Sequence, residues 1–186
     1  MEYLNVLAGL QKAMQKPATA ELEAEAIARF KRFFADFSPN KIAVLLDETY
    51  SADVWFNDTL KTIRGREALR TYLRHSAEAV ESCVVDVKET LKNETGDFFV
   101  RWVMTIRFKK FKKGQDTQTI GMSHLRFDAD GKVCFHQDYW DSTAGIFEHI
   151  PVLGWLIAKV KARAIGKRSA RLNLACSNER QHLIKR

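Results

Sequence analysis

The sequence is poor in the residues that announce specialised chemistry. Three cysteines, Cys83, Cys134 and Cys176, stand among 186 residues. An odd number without metal-site spacing excludes a fully paired disulfide framework and fits three reduced thiols in the cytoplasm. Only three prolines and nine glycines occur, which excludes a low-complexity or proline-rich chain. No HExxH, cysteine pair or glycine-rich phosphate loop is present, so neither metal nor cofactor is expected. Gly121 stands alone in a strand-like stretch and reads as a bulge that bends a sheet. Long apolar runs are also missing: IPVLGWLIA, residues 150–158, is about half of the roughly 20 residues a bilayer crossing requires. The opening stretch MEYLNVLAGLQKAMQ carries Glu2 where a secretory signal would be positive.

Positive charge is plentiful but confined to one end. Residues 159–186 hold nine lysines and arginines against the single Glu179, a net charge of +8, while residues 1–158 carry 21 against 22 acidic residues, a net of −1. A neutral domain with a cationic appendage follows, rather than a chain built throughout for nucleic acid.

Periodicity supplies the elements. Leu22, Ala26, Ile27, Phe30, Phe33, Phe34 and Phe37 form a helical stripe over 19–37, with Thr19 as N-cap. Ser38 and Pro39 open a short helix to about Leu46. YSADVWFND alternates as a strand, with Tyr50, Ala52, Val54 and Phe56 on one side, continued by Asp58. Gly65 introduces a helix carrying Leu69, Tyr72, Leu73, Ala77 and Val80. CVVDVKETL, FFVRWVMTIRF, TQTIGMSHLRF and VCFHQDYWD then alternate as strands, joined by NETGD, FKKGQD and DADG turns. Helices followed by a strand meander indicate an α+β domain with helices on one face of a curved antiparallel sheet.

In CFHQDYWDS, His136, Asp138 and Trp140 alternate, so an imidazole, a carboxylate and an indole share one strand face, successive members about 6 to 7 Å apart. Val133, Phe135 and Tyr139 make the other face apolar as well, so alternation alone leaves open which face turns inward. Asp58 follows Asn57, common turn chemistry, and equally reads as a loop cap.

The order of elements, with WFNDTLKTIRGREALRTYL and the later SHLRFDADGKV and DYW, resembles the nuclear transport factor 2-like superfamily, in its SnoaL-like and ketosteroid-isomerase-like branch, over residues 19–148. The resemblance implies a cone, a bent sheet wrapped around N-terminal helices with an apolar pocket at one end, and dimerisation through the outer sheet face. It also implies site residues. Asp58, before Gly65-Arg66-Glu67, matches the isomerases' general base. Their oxyanion donors do not carry over, since Phe30 stands at the tyrosine position and Ser123 at the aspartate position, so a developing enolate would lose both. Asp138 resembles the acid/base residue of SnoaL-type cyclases, with His136 beside it. Trp140, Trp55, Phe56, Phe30, Ser123 and Tyr72 would line the pocket. Asp138 or Asp58 would take a proton next to a carbonyl, and His136 would donate to the oxygen gaining charge.

Residues 1–18 are then an N-terminal extension, 19–148 the domain and 149–186 an amphipathic basic helix and tail. Three readings of the last segment stay open: it closes the cone or docks on a partner subunit, it lies on an anionic membrane surface, or it touches nucleic acid. The last is least favoured, because phosphate binders spread basic charge over a folded face. Two functions remain open as well. One is cofactor-independent acid/base catalysis of isomerase, cyclase or hydratase type on a small hydrophobic carbonyl or polycyclic compound. The other is a non-catalytic ligand-binding or dimeric scaffolding domain. The expected partners are a small hydrophobic ligand and a second copy of the chain, and the expected location is cytoplasmic, with peripheral membrane attachment as the variant.

Overall fold

A computed structural model of the protein describes residues 2–13, 18–110 and 114–164. Cys176, the basic residues beyond 164 and the first part of the FKKGQD turn lie outside the described residues. The chain forms two compact units, Met1–Ser142 and Thr143–Arg186.

In the first unit three helices precede the sheet and a fourth follows its first two strands: α1 (Glu2–Ala13), α2 (Ala20–Phe34), α3 (Pro39–Thr49), β1 (Tyr50–Asn57), β2 (Thr62–Arg64), α4 (Arg66–Glu78), β3 (Val80–Lys92), β4 (Phe98–Phe108), β5 (Asp116–Phe127) and β6 (Val133–Trp140). The Thr19 hydroxyl accepts from the Leu22 N–H, 3.3 Å, and Glu21 and Glu23 sit in the first turn of α2, where the positive end of the helix favours them. Pro39 occupies the first turn of α3, where its missing N–H costs nothing.

The six strands run in the order β2-β1-β6-β5-β4-β3. The sheet is mixed, not wholly antiparallel as the sequence suggests: β6 lies parallel to β1, with Phe56 opposite His136. The β3 to β6 meander reverses at every turn, and its last strand arrives beside β1 running the same way.

One sheet face carries α2, α3 and α4, whose Phe30, Phe33, Ile42, Leu46, Leu69 and Leu73 close over Tyr50, Val54, Phe56, Val100 and Leu125. Burial of a phenylalanine such as Phe33, fully removed from solvent, contributes about 2 to 3 kcal/mol. The opposite face is touched by α1, where Tyr3 packs edge-on to Trp55 and tilted on Phe135, at ring separations of 6.3 and 5.5 Å.

Gly121 is not a bulge. Its register with β4 and β6 is unbroken, Trp102↔Gly121 and Gly121↔Trp140. Instead it makes room: a Cβ there would lie 2.3 Å from the Trp102 ring. The glycine lets the Trp102 indole pass close over β5, which positions the site described next.

The second unit contains the 3₁₀ turn Phe147–His149 and a helix over 151–164, opened by Pro151.

Candidate functional site

The period of two along β6 turns His136, Asp138 and Trp140 toward the helices and sends Phe135, Gln137 and Tyr139 to the other face. Four rings confine the imidazole of His136, those of Phe30, Phe34, Phe56 and Tyr50, with centroids 4.8 to 6.1 Å away. His136 is 1% exposed, whereas 15% of the Asp138 side chain reaches solvent.

A chain of hydrogen bonds runs through this pair. Tyr50 Oη and His136 Nδ1 are 2.8 Å apart, His136 Nε2 and Asp138 Oδ1 2.7 Å. From the other side Trp102 Nε1 donates to Ser123 Oγ, 2.9 Å, and Ser123 Oγ donates to Asp138 Oδ1, 2.5 Å. One assignment satisfies every atom: Tyr50 donates to Nδ1, and the neutral Nε2–H tautomer donates to Asp138. Burial, and then the negative charge of Asp138, raise the Tyr50 hydroxyl well above the ordinary tyrosine range, so it keeps its proton. Both arms thus end on Oδ1. Among the described residues Oδ2 accepts no hydrogen bond.

Asp58 is committed differently. Its Oδ1 accepts from the N–H groups of Leu60 and Lys61, 3.0 and 2.9 Å, and its Oδ2 from the Tyr72 hydroxyl, while Trp140 Nε1 donates to its backbone carbonyl, 2.7 Å. The carboxylate caps the turn in which Thr59 takes a φ of 71°. Burial first, then its bond to Asp58 and the charge of Asp58, with a smaller push from the charge of Asp138, hold the Tyr72 hydroxyl above the usual range.

Of the residues singled out in the sequence, the structure brings together His136, Asp138, Ser123, Phe30 and Phe56, and places Asp58, Tyr72 and Trp140 beside them. It removes Trp55. That side chain points to the opposite face, stacked on Phe135 at 4.8 Å, because it lies one residue out of phase with Phe56. The expectation that His136 donates to a substrate oxygen also fails, since both ring nitrogens are occupied by protein partners. Tyr50 and Trp102 were not singled out. Tyr50 shares the parity of Phe56 and Asp58, a local signal, but only the parallel β1–β6 pairing brings it to His136.

The opposite face holds a second polar group, where Arg126 Nη1 donates to Asp97 Oδ1, 2.6 Å, and Tyr3 Oη lies 2.8 Å from His124 Nδ1. Burial lowers the His124 pKa against the opposing pull of Asp97. Burial would raise that of Asp97, but hydrogen bonds from Thr95, Arg126 and Gln11 outweigh it and hold the carboxyl below the usual range. A cavity of about 450 Å³ nearby is lined by Gln11, Lys92, Thr95, Phe98 and Arg126 among others, and by none of the residues bonded to His136 or Asp138.

A family model described as a SnoaL-like domain matches residues 30–136, more than half of the chain. The span runs from Phe30 to His136 and ends two residues before Asp138. Solved structures share the fold. An LEH-like epoxide hydrolase of M. tuberculosis is 17% identical with a TM-score of 0.55, covering 75% of this chain and 96% of its own. A protein with the ketosteroid isomerase-like fold from Catenulispora acidiphila, in complex with trimethylamine, is 16% identical with a TM-score of 0.56, covering 66% and 89%. A nuclear transport factor 2-like protein of unknown function from Exiguobacterium sp. 255-15 is 19% identical with a TM-score of 0.54, covering 63% and 99%. No curated protein matches the sequence.

Proposed function

Since the chain belongs to the SnoaL-like family of the nuclear transport factor 2-like superfamily, we propose that it binds a small hydrophobic carbonyl or polycyclic compound and moves a proton on it without a cofactor. Asp138 is the general base. The observation that carries this is the asymmetry of its carboxylate: Oδ1 takes both His136 and Ser123, while Oδ2 accepts no hydrogen bond among the described residues and the side chain keeps 15% of its surface in solvent. Oδ2 takes a proton from carbon next to the carbonyl, the C–H electron pair moves into the enolate, and the same oxygen returns the proton to another carbon. Tyr72, held against Asp58 in the free protein, turns its hydroxyl to the oxygen that gains charge. His136 acts as a positioning residue, and Phe30, Phe56 and Trp140 supply the apolar wall. The epoxide hydrolase among the fold neighbours suggests a hydratase variant, in which Oδ2 activates water.

The second reading, a non-catalytic ligand-binding domain, draws on the complete burial of His136 and on Phe30 and Ser123 standing where isomerases place their oxyanion donors. One experiment separates the two. The full chain is incubated in D₂O with a panel of cyclic ketones and epoxides, and exchange at the carbon next to the carbonyl and epoxide opening are followed by NMR. Turnover that vanishes in Asp138→Asn supports catalysis. Binding seen by native mass spectrometry without turnover favours the second reading, and neither binding nor turnover removes the pocket altogether.

We further propose that the chain pairs with a second copy through Ile120, Met122 and Tyr139, exposed cross-strand neighbours on the outer sheet face, and works in the cytoplasm, where its thiols stay reduced. Light scattering of Ile120→Glu tests the pairing: loss of a dimer present in the wild type supports it, and an unchanged mass overturns it.

A further inference from the structure

The helix over 151–164 exposes more apolar surface than a soluble helix needs. Val152, Leu156 and Val160 recur every fourth residue and are 73%, 45% and 65% exposed. Beside this row runs a second one, Trp155, Lys159 and Arg163, in which Trp155 is 60% exposed and Lys159 Nζ lies 4.6 Å above its ring. An apolar row bordered by an indole and by long cationic side chains suits the boundary between headgroups and acyl chains. There the indole and the apolar row enter the acyl edge while lysine and arginine reach back to the phosphates. Among the described residues no helix is long and apolar enough to cross a membrane, so the helix would lie in the surface and not through it.

We propose that this helix docks the protein on an anionic lipid surface. The occupant is selected by charge. Lys159, Lys161 and Arg163 stand at the end of the apolar row, and in the sequence residues 159–186 carry a net charge of +8 while the rest of the chain is near neutral. A second copy of the same segment would set like charges together, which disfavours self-pairing. Nucleic acid would satisfy the cations and leave Val152, Leu156 and Val160 in water.

The test uses the full chain with vesicles of phosphatidylcholine alone or mixed with phosphatidylserine, read by flotation and by tryptophan emission. The expected result is binding to the mixed vesicles only, weakened by added salt, with a blue shift in emission that disappears in Trp155→Phe. Replacing Trp155 and Leu156 together by alanine keeps every charge and lowers partitioning about tenfold. Lys159→Glu with Arg163→Glu keeps every apolar residue and abolishes binding to the same vesicles. Equal binding to neutral vesicles, no binding to either, or unchanged binding of the alanine pair overturns the proposal. So does tighter association with a duplex oligonucleotide than with the anionic vesicles.

Discussion

Gly121→Ala is the sharpest probe of how the site is held, because local preference and tertiary packing predict opposite signs. On backbone entropy alone, alanine in a strand is favoured over glycine by about 0.5 to 1 kcal/mol. In the structure the new Cβ would sit 2.3 and 2.4 Å from two Trp102 ring atoms and 2.7 Å from Trp140 Cβ. Carbon atoms prefer about 3.5 to 4.0 Å, so the overlap exceeds about 1 Å. Trp140 Cβ is tied to the backbone and cannot retreat, so the Trp102 indole, 5% exposed, must move and loses its bond to Ser123. Overpacking costs about 1 to 3 kcal/mol and a broken buried hydrogen bond about as much again, for a net destabilisation of about 3 kcal/mol. With a urea m-value of about 2 kcal/mol/M the unfolding midpoint falls by about 1.5 M, measured by far-UV circular dichroism. Trp102→Phe removes the clashing ring atoms, so the double variant Gly121→Ala with Trp102→Phe should be more stable than the sum of the single changes. A midpoint that is unchanged or raised in Gly121→Ala, or strict additivity in the double variant, would refute the packing account.

Other consequences follow from the same contacts. Tyr50→Phe leaves His136 Nδ1 without its partner in a dry environment and should cost about 1 to 2 kcal/mol in urea unfolding; a neutral result would mean water replaces the hydroxyl. Burial pushes the thiols of Cys83 and Cys134 up to about 12, so both should resist iodoacetamide near pH 8 in the native protein and react once it is unfolded, as counted by peptide mass spectrometry. His124 titrates below its ordinary 6.5 in the folded state, so the unfolded chain takes up the proton first and stability falls as pH drops below about 6.5. His124→Gln should flatten thermal stability over that range, and an equally steep fall in the variant would exclude His124 as the cause. Asp97 acts in the same direction at lower pH. Its depressed carboxyl contributes stability above the unfolded value near 3.8 that is lost as pH falls through the folded one, and Asp97→Asn should remove that acid limb of the curve.

Much of the fold is readable from local patterns. The phenylalanine stripe and Thr19 mark α2, Ser38 and Pro39 mark the start of α3, and alternation marks β1, β4, β5 and β6 close to their observed ends. The three-residue β2 is too short for a period to show. Trp55 cannot line the same pocket as Phe56, because neighbouring residues of β1 face opposite ways; since β1 is apolar on both faces, alternation leaves open only which of the two the helices cover. Gly121 looked like a bulge because a glycine in a strand carries no record of the side chain lying across it.

What the sequence determined by itself is local. The alternation of β6 sets His136, Asp138 and Trp140 on one side whatever the strand packs against, because successive side chains of an extended chain must point apart. The confinement of positive charge to the last residues needs no fold at all. Tertiary structure alone decided that this side faces the helices, that a parallel neighbour carries Tyr50 to His136, and that Trp102 crosses Gly121 to reach Ser123. Tyr50 and His136 are 86 residues apart in sequence, and Trp102 and Ser123 are 21 apart. Such contacts arise from strand order and core packing, which depend on the whole chain at once and leave no periodic trace near any one residue.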